Sequence, residues 1–585
     1  MNKDFIYKDS SEEILYELYT KVNKGDLDRS DIYLDYLNNW PVFYHTTPLR
    51  HNLLNWIDLG ERDLDVLEIG AGCGAMTEHL LQVPNVSSVT AIEGDAKRAE
   101  INRLRCSSLG TLNLINQNFI DFKSDRKFDV ITLIGVFEYS ESYISETNPH
   151  AYFLSYLKHF LKPDGVLVLA IENRIGHKYI AGRIEDHYHY PYEGINNYPN
   201  NKGIRTFSPA ELNEIIKTTG FDAIKYYYPF PDYKVPNVIL SEKAFGTDGF
   251  DWLSLLQLPS PEYCSHHFKP QFNEREFIRA IADNTYVGDF MNSLLIFTSP
   301  SDYIFCDDNN FLASKSNILR KKGSRNQVYF VMRNESLQVD RYSIDERKIK
   351  ESQFYHYNTK NLSVEIIDLM LNKRFLKVSK MLCKWYDLLI RKADYIQDYE
   401  YFHKECWQSI KYEPLYNKSN YWIDSGFYDL IPRNILTDDV GEFYIIDQEW
   451  TLTNAKIPVQ FIFDRGLYWL LHEYASFDTG YEIWNASGTL NIPKEVMNNM
   501  DISFSLSDYI CMRLLDDFFY AKNIHRYEFS IGEKEYEKAV REINQNTFTQ
   551  PTKRNIFFRL LKKTVQTMGK NKSIRRVANT ILSSH

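Results

Sequence analysis

Three glycines in alternate positions follow a short apolar run near residue 70. Val66–Ile69 leads into Gly70, Gly72 and Gly74, and a helix-forming sequence begins near Ala75. Glycine adopts positive φ readily and lets a ligand approach the backbone more closely than any Cβ would allow. The spacing G-x-G-x-G differs from the G-x-G-x-x-G of dinucleotide sites, which hold a pyrophosphate at a helix terminus. This glycine bend, residues 70–74, therefore favours a ligand that has no pyrophosphate.

An acidic residue follows the next apolar run. Ser88–Ile92 ends in Glu93. A carboxylate at the end of a second strand, about 20 residues beyond a glycine-rich turn, can accept hydrogen bonds from both hydroxyls of a ribose. Glu93 is therefore the strongest single candidate for holding a nucleoside.

The elements that would position these residues are short apolar runs alternating with amphipathic stretches. The further runs are Leu112–Ile115, Phe128–Ile134 and Gly165–Ala170, with a later one at Leu294–Phe297. Runs of this length between helical segments are typical of βαβ units and a buried parallel sheet. We therefore predict an α/β fold with a Rossmann-like, doubly wound sheet and a ligand at the carboxyl ends of its strands.

The glycine bend, the acidic strand end and the strand Phe128–Val130 occur in the order that resembles class I S-adenosylmethionine (SAM) dependent methyltransferases, over about residues 60–230. The resemblance implies SAM as cofactor, held by the glycine bend and Glu93. SAM has no pyrophosphate, in agreement with the glycine spacing. The alternative interpretation is a tight turn in another doubly wound fold.

Other strand ends would complete the SAM site. Asn118, Phe119 and Asp121 follow the third run and are placed to flank the adenine. Gly135 ends the fourth run, near the expected position of the sulfonium, and Glu68 would face the methionine moiety.

A longer segment, Ala170–His187, resembles bacterial methyltransferases found with polysaccharide-assembly genes and glycosyltransferases. That resemblance implies a glycan or sugar-phosphate acceptor and glycosyltransferases as partners. No Asn/Asp-Pro-Pro-Tyr/Phe run is present, which removes the usual signature of methylation at the exocyclic amines of bases.

Methyl transfer to a hydroxyl is an in-line displacement for which the enzyme supplies alignment and a base. The candidate catalytic residues are Glu172, Asp186 and His187, which lie in or just after the fifth strand's loop, together with Glu185 and His177. The alternative for each is a loop-capping or solvated polar group, an alternative that weighs most for His177.

A second constellation lies far along the chain. Asp429 is followed five residues later by Asn434, then by an apolar strand, a turn and Asp447. This resembles the kinase and aminoglycoside-phosphotransferase superfamily. The resemblance implies that Asp429 holds an acceptor hydroxyl and that Asn434 and Asp447 hold Mg²⁺, with ATP as a second cofactor if this half is active.

The same segment departs from the kinase pattern. No glycine-rich nucleotide loop is found, the expected strand lysine has its nearest counterpart at Val331–Arg333, and Phe427 stands where the loop histidine usually lies. An inactive kinase-like domain and a chance grouping of carboxylates both remain open.

Net charge and composition limit the kinds of partner that the sequence predicts. The formal net charge of −10 argues against a general affinity for nucleic acid. The seven cysteines are scattered, without a CxxC pair or zinc spacing, and neither a signal-peptide core nor a membrane-spanning run is found. We therefore expect a cytoplasmic protein.

From Pro551 the chain carries nine Lys or Arg and no acid, with apolar residues at helical intervals. This tail predicts a basic amphipathic helix, which either contacts the inner membrane face or packs on the parent domain with its basic face in solvent.

The predicted organisation has four parts: an N-terminal helical cap (1–60), a methyltransferase domain (61–300, with an insertion at about 235–290), an α+β kinase-like domain (301–545) and the basic tail (546–585). The predicted function is SAM-dependent O-methylation of a saccharide or sugar phosphate in surface polysaccharide biosynthesis. Two alternatives are kept: a bifunctional kinase–methyltransferase that terminates glycan chains, and a scaffold protein of polysaccharide assembly with an inactive kinase-like half.

Overall fold

The computed structural model describes residues 11–29, 32–36, 39–258, 270–284, 286–306, 309–320, 322–397, 420–447 and 456–477, with 491–493, 496, 512 and 516. The chain forms two compact units, unit 1 from Met1–Leu319 with Arg325–Tyr355, and unit 2 from Arg320–Ser324 with His356–His585. The predicted basic tail, 546–585, lies outside the described residues. No helix in the described part of the chain is both long and apolar enough to cross a membrane.

Unit 1 contains one twelve-stranded sheet. Its strands are β1 Leu64–Ile69, β2 Val86–Glu93, β3 Leu112–Asn116, β4 Phe128–Ile134, β5 Leu161–Glu172, β6 Ala223–Phe230, β7 Val238–Ser241, β8 Ser293–Ser299, β9 Phe311–Ser316, β10 Asn326–Arg333, β11 Ser336–Ser343 and β12 Lys348–Phe354. Their spatial order is β12-β11-β10-β9-β7-β6-β8-β5-β4-β1-β2-β3.

The first five strands pair in parallel with one another, and β8 lies antiparallel between β5 and β6. Side chains of β4 and the second half of β5 are almost all buried, as expected for strands covered on both faces. The five predicted strands and the predicted strand at Leu294–Phe297 are therefore confirmed. The parallel half of this mixed sheet has the Rossmann-like arrangement that the sequence predicts.

Helices accompany the strands of unit 1. They are α1 Glu12–Lys24, α2 Ile32–Asp35, α3 Trp40–Thr46, α4 Ala75–Gln82, α5 Ala96–Cys106, α6 Ser140–Tyr143, α7 Pro149–Lys158, α8 His177–Ile180, α9 Pro209–Thr218, α10 Glu242–Phe245, α11 Glu274–Ala282 and α12 Val287–Phe290. Helix α9 begins at a reciprocal capping box between Ser208 and Glu211, and Pro209 occupies its first turn.

The structure differs from the domain boundary predicted near residue 300. Strand β9 pairs with β7, and β10–β12 continue the same sheet to residue 354. The indole of Trp56 stacks on Phe311 of β9 at a centroid distance of 4.3 Å and lies 4.5 Å from the ring of Tyr227. Unit 1 therefore extends to Tyr355, and the segment predicted as an insertion at 235–290 contributes β7 to the core sheet.

Unit 2 has a separate apolar core with two three-stranded sheets, β13-β16-β17 and β14-β15-β18. The elements are β13 Lys360–Asn361, α13 Leu362–Leu371, α14 Phe375–Arg391, β14 Asp394–Tyr395, β15 Tyr421–Asp424, β16 Ile435–Thr437, β17 Phe443–Ile445, β18 Lys456–Pro458 and α15 Val459–Phe477. Trp385 and Trp422 are fully buried in this core.

Candidate functional site

The glycine bend leaves β1 in the conformation that its sequence predicts. Gly70, Gly72 and Gly74 have φ of +69°, +52° and +83°. A Cβ on Gly70 would lie 2.5 Å from Cγ2 of Val136, whereas a Cβ on Gly72 would have no described heavy atom within 4 Å. The backbone at Gly72 therefore faces open space, as a cofactor lying on the main chain requires.

Glu93 closes the bend from the neighbouring strand. Its Oε2 accepts a hydrogen bond from the backbone N–H of Gly72 at 2.7 Å, and its Oε1 accepts one from that of Asp95 at 2.9 Å. Each carboxylate oxygen has capacity for a further donor. The side chain is thus fixed at the end of β2 and can still accept hydrogen bonds from the two hydroxyls of a ribose.

These residues line a cavity of about 870 Å³. Its wall, as far as the described residues form it, includes the predicted cofactor residues Glu68, Gly70, Gly72, Glu93, Asn118, Phe119 and Gly135. Gly74 is not part of this wall. It caps α4, and its missing Cβ makes room for Asn102.

The adenine side of the predicted site is formed by residues held by local contacts, and the methionine side by a buried carboxyl group. Asn118 accepts a hydrogen bond from the N–H of Ile120, and Phe119 stacks on Phe153 at 4.2 Å, so both positions are held rigidly. Glu68 accepts a hydrogen bond of 2.6 Å from Thr77 Oγ1. Burial raises the pKa of Glu68 to about 7, against the opposing effect of this hydrogen bond.

The N-terminal segment also reaches the cavity. Trp40, Tyr44 and His45 of α3 lie on the wall, with Arg50 from the following 3-10 helix. The Arg50 guanidinium lies 3.8 Å from the centroid of the Tyr44 ring. The predicted N-terminal cap thus supplies side chains to the same cavity as the glycine bend.

Charged side chains line the other end of the cavity. Asp186 accepts hydrogen bonds from the Tyr179 hydroxyl and from Lys178 Nζ at 3.0 Å, and Lys234 Nζ lies 3.5 Å from its other oxygen. Burial opposes ionisation of Asp186, but Lys178 and Lys234 hold its pKa well below its usual range. Such a carboxylate is a weak base, and it serves to hold the two lysines.

His187 is fixed by Glu185. The backbone N–H of His187 donates to Glu185 Oε2 at 2.7 Å, and His187 Nδ1 lies 2.8 Å from Oε1 of the same carboxylate. Burial alone would lower the pKa of His187, but the hydrogen bond to Glu185 and the nearby carboxylates of Glu172 and Glu138 raise it to about 9. His187 lies on the cavity wall with its ring orientation set.

Glu172 and Glu138 approach His187 from the sheet. Glu172, the last residue of β5, lies behind the wall formed by the described residues and accepts a hydrogen bond from Lys234. Glu138 lies on the wall, and its Oε1 is 3.9 Å from His187 Nε2. Burial and the Glu172 carboxylate raise the pKa of Glu138 to about 8.

The sequence patterns assign no individual role to Glu138 or Lys234. Glu138 lies in the segment that ends the fourth strand near the expected sulfonium, and its acidic side chain is the signal that could mark it. Lys234 is 62 positions from Glu172, and only the sheet topology brings them together. His177, by contrast, lies away from the cavity, with Nδ1 2.9 Å from Oε2 of the fully buried Glu274.

In unit 2 the predicted kinase-like residues flank a hairpin. Asn434 precedes β16, Asp447 follows β17, and Asn434 Nδ2 donates to the backbone oxygen of Asp429 at 2.9 Å. The Asp429 carboxylate accepts a hydrogen bond of 2.8 Å from Arg465 Nη1.

A family profile described as a methyltransferase domain matches residues 43–226. A ubiquinone biosynthesis O-methyltransferase of Rickettsia canadensis (strain McKiel) is 24% identical over 160 residues, which cover 27% of this chain and 63% of that protein. The enzyme of the same name from Rickettsia prowazekii (strain Madrid E) is 24% identical over 173 residues, covering 29% and 62%. The match therefore spans less than two thirds of these relatives.

Among solved structures, Haemonchus contortus phosphoethanolamine N-methyltransferase 1, in complex with phosphoethanolamine and S-adenosylhomocysteine, aligns with 39% of this chain and 46% of its own, at 15% identity and a TM-score of 0.27. Residues 43–226 carry a methyltransferase domain, and the cofactor of that domain is SAM.

Proposed function

We propose that this chain, whose residues 43–226 form a SAM-dependent methyltransferase domain, methylates a hydroxyl oxygen of a saccharide or sugar phosphate during assembly of a surface polysaccharide. The O-methyltransferases to which it is similar support transfer to oxygen. We infer the class of acceptor from the side chains that line the cavity.

The observation that carries the proposal is the charged end of the cavity. Beyond the glycine bend, the wall is formed by side chains that bind hydroxyls or anions, namely Glu138, Lys178, Arg183, Asp186, His187 and Lys234. Saccharide hydroxyls and phosphate oxygens can form further hydrogen bonds with such groups, whereas an apolar acceptor would offer them none. The tyrosines at positions 139 and 233 add aromatic faces against which a sugar ring can pack.

When bound, SAM supplies its methyl group as a sulfonium. The glycine bend and Glu93 hold that cofactor, and the Glu138–His187 pair faces the acceptor. With the cofactor bound, the acceptor oxygen would receive the methyl group in line with the breaking bond to sulfur, and this pair or water would take the hydroxyl proton. Lys178 and Lys234, held by Asp186, orient the acceptor.

The test is transfer of isotopically labelled methyl from SAM to a panel of sugars, sugar phosphates and simple phenols, read by mass spectrometry. We expect the label on a saccharide hydroxyl or sugar phosphate. Labelling of phenols alone would contradict the proposed acceptor.

The same assay tests the residues. Because general acid–base groups contribute about 10²- to 10⁴-fold, Glu138→Gln should lower transfer by about that factor while SAM still binds. Glu141→Gln, a partly exposed carboxylate one turn further along the chain, is the matched control and should leave transfer unchanged.

A second activity is favoured by one feature of unit 2, the β16–β17 hairpin between Asn434 and Asp447. We propose that these residues bind Mg²⁺ and ATP, which would make the chain a bifunctional kinase–methyltransferase. The hydrogen bond from Arg465 to Asp429 must then be exchanged for one from the acceptor hydroxyl. Titration of ATP with Mg²⁺ should give binding that is lost in Asp447→Ala. Absence of binding by the wild-type chain favours an inactive, scaffolding role.

We also propose that the basic tail, residues 551–585, makes peripheral contact with an anionic membrane surface. Each of its nine basic residues contributes about 1 kcal/mol of binding free energy near such a surface. The full chain should co-sediment with vesicles containing anionic lipid and lose most of that binding when residues 551–585 are deleted. Equal binding by the deleted chain would refute this role.

A further inference from the structure

Three side chains from different parts of the fold converge beside the acceptor end of the cavity, two of them on its wall and Glu172 behind it. Glu138 comes from the 3-10 helix after β4, Glu172 from the end of β5 and His187 from the loop after α8. One carboxylate oxygen from each glutamate and one ring nitrogen of the histidine all lie within 4.8 Å of one another. We call these three residues the Glu-Glu-His cluster.

The imidazole of the cluster is oriented as a ligand. Its Nδ1 lies 2.8 Å from Glu185 Oε1, while Glu185 Oε2 accepts the backbone N–H groups of His187 and Tyr188 at 2.7 and 2.8 Å. A proton on Nδ1 leaves the lone pair of Nε2 directed at the cluster. A carboxylate behind the distal nitrogen is the arrangement by which proteins fix metal-ligating histidines.

The two glutamates present oxygens that no described donor reaches. Oε2 of Glu138 and Oε2 of Glu172 are buried and have no hydrogen-bond partner among the described residues. The two residues are 1% and 0% exposed. Buried acceptors without a donor are costly, so such oxygens indicate that a ligand with positive charge completes the site.

The surrounding charges support a doubly charged ligand. Lys234 contacts Glu172 and Asp186, and Lys178 contacts Asp186. An imidazole that ligates an ion through Nε2 is neutral, and a ligating glutamate is ionised. In that bound state the carboxylates of Glu138, Glu172, Glu185 and Asp186 carry four negative charges beside the two ammonium groups, and one divalent cation balances the difference.

We infer that the Glu-Glu-His cluster binds a divalent transition-metal ion that positions the acceptor hydroxyl. Two carboxylate oxygens and one imidazole nitrogen suit Mn²⁺ or Zn²⁺ better than Ca²⁺, which takes oxygen ligands alone. Three protein ligands leave coordination positions open towards the cavity for water and for the substrate.

The role of this ion rests on the proposed function and deepens it. A cation at the cluster draws the acceptor oxygen to the site and lowers the pKa of that hydroxyl. The hydroxyl proton passes to solvent, the oxygen forms its bond to the methyl carbon, and S-adenosylhomocysteine departs with the electron pair of the broken S–CH₃ bond.

The experiment uses the full chain, stripped with EDTA and titrated calorimetrically with MnCl₂ and with ZnCl₂. We expect one ion per chain, with Mn²⁺ also visible by electron paramagnetic resonance. Glu172→Gln, which keeps the shape of the side chain, should abolish this binding. Because a carboxylate behind a ligating histidine changes affinity by about 10- to 100-fold, Glu185→Gln should weaken binding by about that factor.

SAM titration of each variant reports on folding. Glu141→Gln is the control and should bind the ion as the wild type does. Should Glu172→Gln fail to bind SAM, Glu138→Gln replaces it. The inference is overturned if the wild-type chain binds neither ion, or if both cluster variants bind them unchanged. Methyl transfer that is equally fast in EDTA would overturn the metal role and leave the proposed function standing, whereas loss of SAM binding by the wild type would refute the proposed function itself.

Discussion

At the scale of single residues, Gly72 combines a positive φ with open space beside its backbone. Its φ of +52° disfavours any side chain, and a Cβ would enter open space at the cavity wall. We expect Gly72→Ala to lower the free energy of unfolding by about 1–2 kcal/mol through backbone strain and also to weaken SAM binding.

Gly25 offers a matched control. It has φ of +78°, no described heavy atom within 4 Å of the position that an alanine Cβ would take, and a place at the end of α1. Gly25→Ala should destabilise the fold to a similar extent without changing the dissociation constant of SAM in calorimetric titration. Equal effects of both substitutions on SAM binding would show that the open space at Gly72 is not the cofactor site.

The raised pKa of Glu68 predicts how the affinity for SAM depends on pH. Its pKa of about 7 means that the carboxyl is mostly neutral below that pH and negative above it. SAM carries a positive sulfonium, so its affinity should rise as the pH passes upward through 7, by roughly tenfold for a favourable contact of this kind. Glu68→Gln should flatten this part of the profile. A profile that is identical in the wild type and in Glu68→Gln would contradict the assignment.

How far the sequence predicts the site depends on the distance between partners. The glycine bend and Glu93 are signalled by residue types at fixed spacing along two adjacent strands, and both line the cavity. The contact between Lys234 and Glu172 joins residues 62 apart, and the place of Glu138 beside His187 depends on how two loops fold over the sheet. Contacts of that kind are set by tertiary structure, for which local patterns give no signal.

At the scale of elements, the parallel strands are predictable and the antiparallel extension is not. Strands β4 and β5 are continuous apolar runs because helices cover both faces. Strand β12 has every side chain exposed, so its sequence carries no apolar run or alternation that marks a strand. The boundary placed near residue 300 fails because β9 joins the sheet by pairing with β7, far earlier in the chain, and no local pattern signals such a pairing.

The packing of β9 onto the rest of the sheet can be measured. Phe311 is 3% exposed and stacks on Trp56, so Phe311→Ala should reduce the free energy of unfolding by about 3–5 kcal/mol. Phe354 of β12 is 69% exposed, and Phe354→Ala should change stability by less than about 0.5 kcal/mol. Chemical denaturation of both variants gives the comparison, and equal stability of the two would argue against a role for β9 in the core.

At the scale of the whole molecule, the cofactor machinery lies within one of the two compact units. The described residues that line the cavity fall between Trp40 and Lys234, all in unit 1. We therefore expect a chain ending at Tyr355 to fold and to bind SAM with the affinity of the full chain.

A chain ending at residue 300 should behave differently. It lacks β9, which leaves the edge of β7 unpaired and exposes the aromatic cluster around Trp56. Circular dichroism and SAM titration of the two shortened chains test this expectation. A chain ending at residue 300 that melts cooperatively and binds SAM would show that β9–β12 are dispensable.

Calorimetric titration of SAM into the full chain shows whether the glycine bend and Glu93 hold the methyl donor. We predict one site per chain. Because a hydrogen bond to a charged group is worth about 1.5–3 kcal/mol, Glu93→Ala should weaken binding by at least about tenfold, while Glu100→Gln, on α5 behind the same strand end, should leave it unchanged. A folded wild-type chain that does not bind SAM, or a Glu93→Ala variant that binds it as tightly as the wild type, would contradict the account.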